Sequence, residues 1–304
     1  MGRNEFIKIL GKNVEIRGRF IRLARLDGEK FTFPDDPEAM TKGLRKCGKR
    51  IDLFTFLQRL SESSPKYSYP MEWDNLAVLP VSTFDNWWAH QIRSLPRNRA
   101  RQAEKKGVIV REVPFNDALV KGIWEVYNEC PVRQGAAFAH YGRGLEWVRK
   151  HAATFLDTSI FIGAYFGDRM IGFIKLTSDE TWTQADLMHI VSMVQHRDKA
   201  PTNALIAQAV RTCAERGIRF LVYSNFSYWR KQRDSLADFK RNNGFQKVDL
   251  PRYYIPLTRL GSATLRLGLH RRFVNCLPEP MVAKLLEFRS AWYNRKLPSV
   301  TESS

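Results

Sequence analysis

The chain has 304 residues, with 49 Lys+Arg against 31 Asp+Glu and a formal net charge of +18. Its 44% hydrophobic and 12% aromatic content supplies a core and excludes wholesale disorder, and no apolar run approaches the roughly 18 residues of a membrane span. The four cysteines (Cys47, Cys130, Cys213, Cys276) lack CxxC spacing, and the first residues carry neither an apolar signal region nor a myristoylation pattern. The expectation is a reduced, cytoplasmic protein without a metal site.

The charge is concentrated. Residues 93–111 carry +6, residues 229–247 carry +4 and residues 259–296 carry +6, so these three stretches hold 16 of the 18 net charges. Such a distribution expects a polyanion, a phosphorylated ligand or an anionic membrane surface.

In chain order, Val14–Leu23 begins with strand alternation. Residues 37–47 and 51–61 read as helices, the second with Leu53, Phe54, Leu57 and Leu60 on one face. The Ser/Pro/Tyr-rich stretch 61–70 reads as a loop, 75–81 as a strand and 83–91 as a helix capped by Ser82 or Thr83. A basic helix over 96–107 follows, ending at Gly107. Asn116 caps a helix to Glu129, and a second runs over 145–156. A hairpin turns at Gly167-Asp168 and a third strand covers 182–193. Pro201 opens a helix that closes at Gly217. A strand at 220–223, a short helix at 235–243 and a last strand at 245–256 complete this part.

That order of elements resembles the GNAT acyltransferase fold: α+β, with a mixed, mostly antiparallel sheet flanked by helices. It implies an N-terminal GNAT-like or degenerate unit over 1–114, a complete unit over 115–260 and a basic amphipathic helical tail over 261–304. GNAT enzymes hold the pyrophosphate of coenzyme A on an Arg/Gln-x-x-Gly-x-Gly/Ala loop, where free N–H groups and a helix dipole converge on an anion. Here the matching stretch is Arg197, Lys199, Ala200, Thr202, Asn203 and Ala204, with Ala200 and Thr202 at the usual glycine positions and Pro201 lacking an N–H. Phe239-Lys240 before Gly244-Phe245 is similar to the Fem-type aminoacyltransferases and the related BioF2-like acetyltransferases, with Lys240 where many GNAT proteins place a Tyr. The basic run 97–108 resembles the helix before the second unit of those proteins.

The resemblance implies acyl transfer to an amine, with acyl-CoA as donor and a large or phosphorylated cell-envelope acceptor. Aminoacyl-tRNA is the alternative donor, and a non-catalytic RNA- or membrane-binding scaffold is the alternative from another class. Such transfer needs a base for the ammonium and a group that polarises the carbonyl or protonates the leaving group. His189 and Glu180 are the candidate bases, Asp186 lies between them, and Lys240 is the candidate oxyanion or phosphate partner. The 130–142 loop mixes Arg133, Gln134, His140 and Tyr141 with two glycines, more polar chemistry than a connector needs. These four are the candidate acceptor contacts. The tail reads as two helices around Pro278-Glu279-Pro280, with leucines and aromatics among basic residues, a pattern for packing on the core or for peripheral attachment, through 261–296, to the inner face of a membrane.

Overall fold

The computed structural model describes residues 4–62, 64–133, 136–227 and 235–270. The predicted tail helices beyond residue 270 and Gln134 lie outside the described residues.

The chain opens with a meander of β1 (Glu5–Ile9), β2 (Lys12–Arg17) and β3 (Leu23–Leu26). Helix α1 (Pro37–Lys46) is started by the Asp36 carboxylate, which accepts the N–H groups of Glu38 and Ala39, with proline in its first turn. It buries Met40 and Leu44 against Phe54 and Phe56 of the next element. That element corrects the helix expected over 51–61. Leu53–Leu57 forms strand β4, with all five residues buried. A short apolar run flanked on both edges by other strands carries no alternation, so strand and buried helix read alike in sequence.

Strand β5 (Met71–Pro80) follows, then α2 (Phe84–Asn86), capped by Thr83 Oγ1, which runs into a π-turn over Trp87–Gln91. The buried Trp87 indole there donates to Asn243 O at 2.9 Å. Next come α3 (Ser94–Lys105), β6 (Val108–Val113) and α4 (Asp117–Asn128), the last capped by the Asn116 side chain. The loop after α4 contains a small ladder of β7 (Val132–Arg133) and β8 (Ala136–Ala137) and leads to α5 (Leu145–Ala152). The hairpin of β9 (Ser159–Phe166) and β10 (Arg169–Ser178) is followed by β11 (Gln184–Ser192), α6 (Pro201–Glu215), β12 (Phe220–Val222), α7 (Ser235–Asn242), β13 (Gln246–Pro256) and α8 (Arg259–Arg266).

One mixed, mostly antiparallel sheet runs through the molecule in the order β1-β2-β3-β4-β13-β5-β12-β11-β10-β9-β6. Helices cover both faces. Phe173 meets Tyr127 of α4, whereas the neighbouring Gly172 lies against Leu205 of α6, and successive strand residues point to opposite faces. Helices α4 and α5 therefore share one face, and α6 with α3 packed against it takes the other.

The sheet is continuous because β13 is double-booked. Residues 252–256 pair with β4, and residues 246–253 pair with β5. At this seam the Arg252 guanidinium lies between Glu29 (2.7 Å) and Asp74 (2.9 Å). Burial opposes the guanidinium charge, but the two carboxylates more than offset it, and Arg252 is held above its ordinary pKa. Arg252→Ala leaves Asp74 without its cation and Glu29 with Arg25 alone, and is expected to cost about 3–5 kcal/mol. Urea unfolding checks this, and a loss below about 1 kcal/mol would show that the seam does not depend on this pair.

Candidate active site

The site begins with a gap in the sheet. Strands β11 and β12 pair in parallel over only three residues each, Gln184–Asp186 with Phe220–Val222. Beyond Val222 the chain stays with β5: Tyr223 N–H donates to Ala77 O at 2.8 Å, and Ala77 N–H donates to Ser224 O at 2.9 Å. Ser224 adopts φ 53°, a left-handed conformation uncommon outside glycine, which turns the chain out of the strand. Strand β11 instead continues beside β10 to Ser192. Residues 187–192 thus have a strand partner on one edge and none on the other among the described residues.

Charged groups gather at the start of the gap. Asp186, the last β11 residue paired with β12, is 7% exposed, and its Oδ1 has no hydrogen-bond partner among the described residues. Burial raises its carboxyl pKa, while the Lys30 charge, the Ser224 N–H and the Lys240 charge oppose that rise. Lys30 Nζ donates to Ser224 Oγ at 2.6 Å. Lys240, fully buried on α7, donates to Asn225 O and lies over the Tyr223 ring at 4.8 Å. Asn225 Nδ2 donates to Asp74 Oδ1 at 2.8 Å, which connects the gap to the Arg252 seam. The sequence marks Asp186 only as lying between the two candidate bases, and it does not single out Lys30. Asp186 had a faint signal, a carboxylate inside an apolar strand; Lys30 lies 156 positions away and had none.

A second cluster occupies the α4–α5 face. His189 Nδ1 lies 3.4 Å from the Tyr127 hydroxyl, and His140 stacks on the Tyr127 ring at 4.5 Å. Burial raises the Tyr127 pKa, so the phenol stays protonated beside that ring. Burial first, then the charges at His140, Lys175 and His151, lowers His189 to about 4, so its imidazole is neutral at pH 7. Lys175 Nζ donates to Ala152 O at 3.0 Å, Thr154 O and Thr154 Oγ1, and burial lowers it to about 8.

The remaining predicted residues are dispersed. Glu180 stands exposed on the turn before β11, paired with Lys12 at 3.0 Å, and does not join His189 or Lys240. Arg133 spends its guanidinium on Ser192 O, Val126 O and Glu129, tying its loop to the end of β11. His140 is in the aromatic cluster, whereas Tyr141 is exposed. In the loop before α6, Arg197 is exposed, and Lys199 pairs with Asp198 at 3.3 Å. Ala200 takes φ 52°, and its carbonyl accepts both the Asn203 and Ala204 N–H groups. Thr202 Oγ1 bonds Ser192 Oγ at 2.9 Å. The Gln195 N–H is also taken, by Glu129 Oε1 at 2.9 Å. Few donors of this loop therefore remain for an outside anion. No cluster of three or more His, Cys, Asp or Glu residues suited to a metal occurs among the described residues.

No family model and no curated protein matches the sequence. Solved structures do match in shape. The C-terminal domain of a putative lysylphosphatidylglycerol synthetase from Agrobacterium fabrum aligns with TM-score 0.56 at 12% identity, covering 87% of this chain and 87% of that one. L-PGS from Bacillus licheniformis gives 0.57 at 13% identity over 88% and 90% of the two chains, and FemX gives 0.56 at 9% over 82% and 87%. The fold is GNAT-like. The element order from α4 to β13 is the one expected from sequence. Among the described residues no helix is long and apolar enough to cross a membrane.

The depressed His189 pKa fixes the sign of one pH effect. The unfolded chain binds a proton below about 6.5 that the folded chain refuses until about 4, so stability falls on acidification through that window. The loss expected from this residue is up to about 3 kcal/mol. Urea unfolding between pH 7 and 4 should show a shallower decline for His189→Gln, and equal slopes would remove His189 as the source.

Proposed function

We propose that this chain is an aminoacyltransferase: it takes an aminoacyl group from an activated ester, of the kind carried by tRNA, and places it on an acceptor amine at the gap between β11 and β12. The observation that carries the reading is the buried Asp186–Lys240 cluster where the two strands part. The acceptor nitrogen attacks the ester carbonyl, a C–N bond forms and the C–O bond breaks. Asp186, a stronger base for being buried, takes the proton from the attacking amine and passes it to the leaving oxygen of the carrier, which departs as a hydroxyl. Lys240 stabilises charge that develops on the carbonyl oxygen, in a site from which water is largely excluded.

The choice of an ester over acyl-CoA rests on the loop before α6. Pro201 lacks an N–H, and the donors of Gln195, Asn203 and Ala204 are used inside the chain, so the cradle for a pyrophosphate is poor. Acyl-CoA is the second reading, favoured by Arg197 and Lys199 at the head of a 15-residue helix. The exposed arginines Arg93, Arg99 and Arg101 beside α2 and α3, with Arg101 5.5 Å from the Trp88 ring centre, suit an RNA-borne donor.

The test is direct transfer with purified protein, comparing a mixed pool of charged tRNA with acetyl-CoA as donors. Product from the charged tRNA alone is the expected outcome. Product from acetyl-CoA alone would replace the donor, and product from neither across a panel of amine acceptors would overturn the transferase reading. With the working donor, Lys240→Ala should lower kcat about 10²–10³-fold. Asp186→Asn should lower it about 10²–10⁴-fold. Wild-type turnover in either variant removes that residue from the mechanism.

A further inference from the structure

A partly open pocket of about 120 Å3 lies on the α4–α5 face, lined in part by His140, His151, Phe161, Lys175, Met188 and His189. Met188 and His189 belong to the stretch of β11 beyond Asp186 that has no second strand partner, so the cavity borders the gap. Three residues of strand, about 10 Å, separate Asp186 from His189.

Its chemistry is one-sided. The surface facing the cavity is almost entirely carbon, and no Asp or Glu lines it. Lys175 contributes an ammonium whose three acceptors are two carbonyls and a hydroxyl, so no counter-charge cancels it there. A second cation entering this space would face that ammonium and no carboxylate. The His140 and His189 rings present apolar edges, stacked and packed around Tyr127.

Its size selects further. An apolar cavity of about 150 Å3 accommodates a benzene ring, and this pocket, about 120 Å3 and partly open to solvent, is of the same order. A large carrier or acceptor does not fit such a space, whereas the small group passed between them does. We propose that the cavity receives the side chain of the transferred aminoacyl group, and that this side chain is uncharged and apolar, of leucyl or phenylalanyl size, with lysyl excluded. This assignment rests on the aminoacyltransferase reading.

The experiment has two arms, so that the two ideas can fail separately. In the first, toluene and benzylamine are titrated into the full chain at pH 7 while the imidazole C–H signals of His140 and His189 are followed by NMR. Toluene should shift both signals saturably, benzylamine, as its ammonium, should bind at least tenfold more weakly, and Val148→Phe, which fills the cavity from α5, should abolish the toluene shift. Ala152→Leu serves the same purpose from the next turn if Val148→Phe does not fold. In the second arm, transfer is measured with tRNA charged with leucine, phenylalanine, alanine or lysine. Leucyl or phenylalanyl donors should exceed lysyl at least tenfold in kcat/KM, and filling the cavity should lower the leucyl-to-alanyl ratio at least tenfold. Absence of toluene binding, a toluene shift that survives both filled variants, a preference for lysyl, or a donor ratio blind to filling would each overturn the cavity assignment. Toluene binding that filling abolishes, with no transfer from any donor, would overturn the transferase reading and with it the identity of the occupant.

Discussion

The fold depends on Arg252 at the seam where β13 is shared between β4 and β5. A guanidinium at this depth persists only with close carboxylates, and Glu29 and Asp74 supply them from the two sides of the strand. The same interaction sets the geometry of the site. Asp74 uses its second oxygen to accept the Asn225 side-chain amide, and the Asn225 backbone carbonyl accepts Lys240. A line of hydrogen bonds thus runs from the seam to the cation that the proposed chemistry requires. The first two links join residues 178 and 151 positions apart, so the position of Lys240 depends on the assembled sheet and not on α7 alone.

The gap follows from unequal strand lengths. Strand β12 is three residues long and turns away at Ser224, held to β5 by backbone bonds on both sides of Tyr223, while β11 runs on for six more residues beside β10. A non-glycine residue at φ 53° at that turn carries a backbone cost that the surrounding contacts must sustain. Asp186 stands where the pairing stops. Its carboxylate is buried by the strands beside it, and its Oδ1 has no hydrogen-bond partner among the described residues. Its setting comes from where the pairing ends and not from an unusual local sequence.

That distinction accounts for what the sequence shows and what it hides. The Asn116 cap, Pro201 with Gly217, the turn at Gly167-Asp168 and the Phe239-Lys240 pair are local signals, and each falls where it was expected. The seam is invisible because Arg252 reaches partners 178 and 223 positions away. Strand β4 was misread because burial on both faces erases its period. Arg133 shows the limit of reading residue type alone: an arginine in a polar loop resembles a ligand clamp, yet backbone carbonyls and Glu129 occupy its two terminal nitrogens. Conversely, His189 is legible as a residue in an apolar strand, but its low proton affinity depends first on burial in the assembled fold and then on His140, Lys175 and His151 brought in from other elements.

The start of the gap and the stretch of β11 beyond it therefore present different environments on one face of the sheet. At the start of the gap, Lys30, Asp186 and Lys240 bring charge into a low-dielectric setting, where each interacts more strongly than in water. On the α4–α5 face, Lys175 is held by oxygens that carry no full charge, so its field is not cancelled locally. That field, together with burial, keeps His189 neutral, and a neutral ring against carbon surface completes an apolar wall. A reacting carbonyl at the gap would have charged groups on one side for its oxygen and proton transfers and carbon on the other for its side chain. An acyl group with a charged terminus satisfies only the first of these surroundings, because its second charge would have to enter a space where the nearest fixed charge repels it.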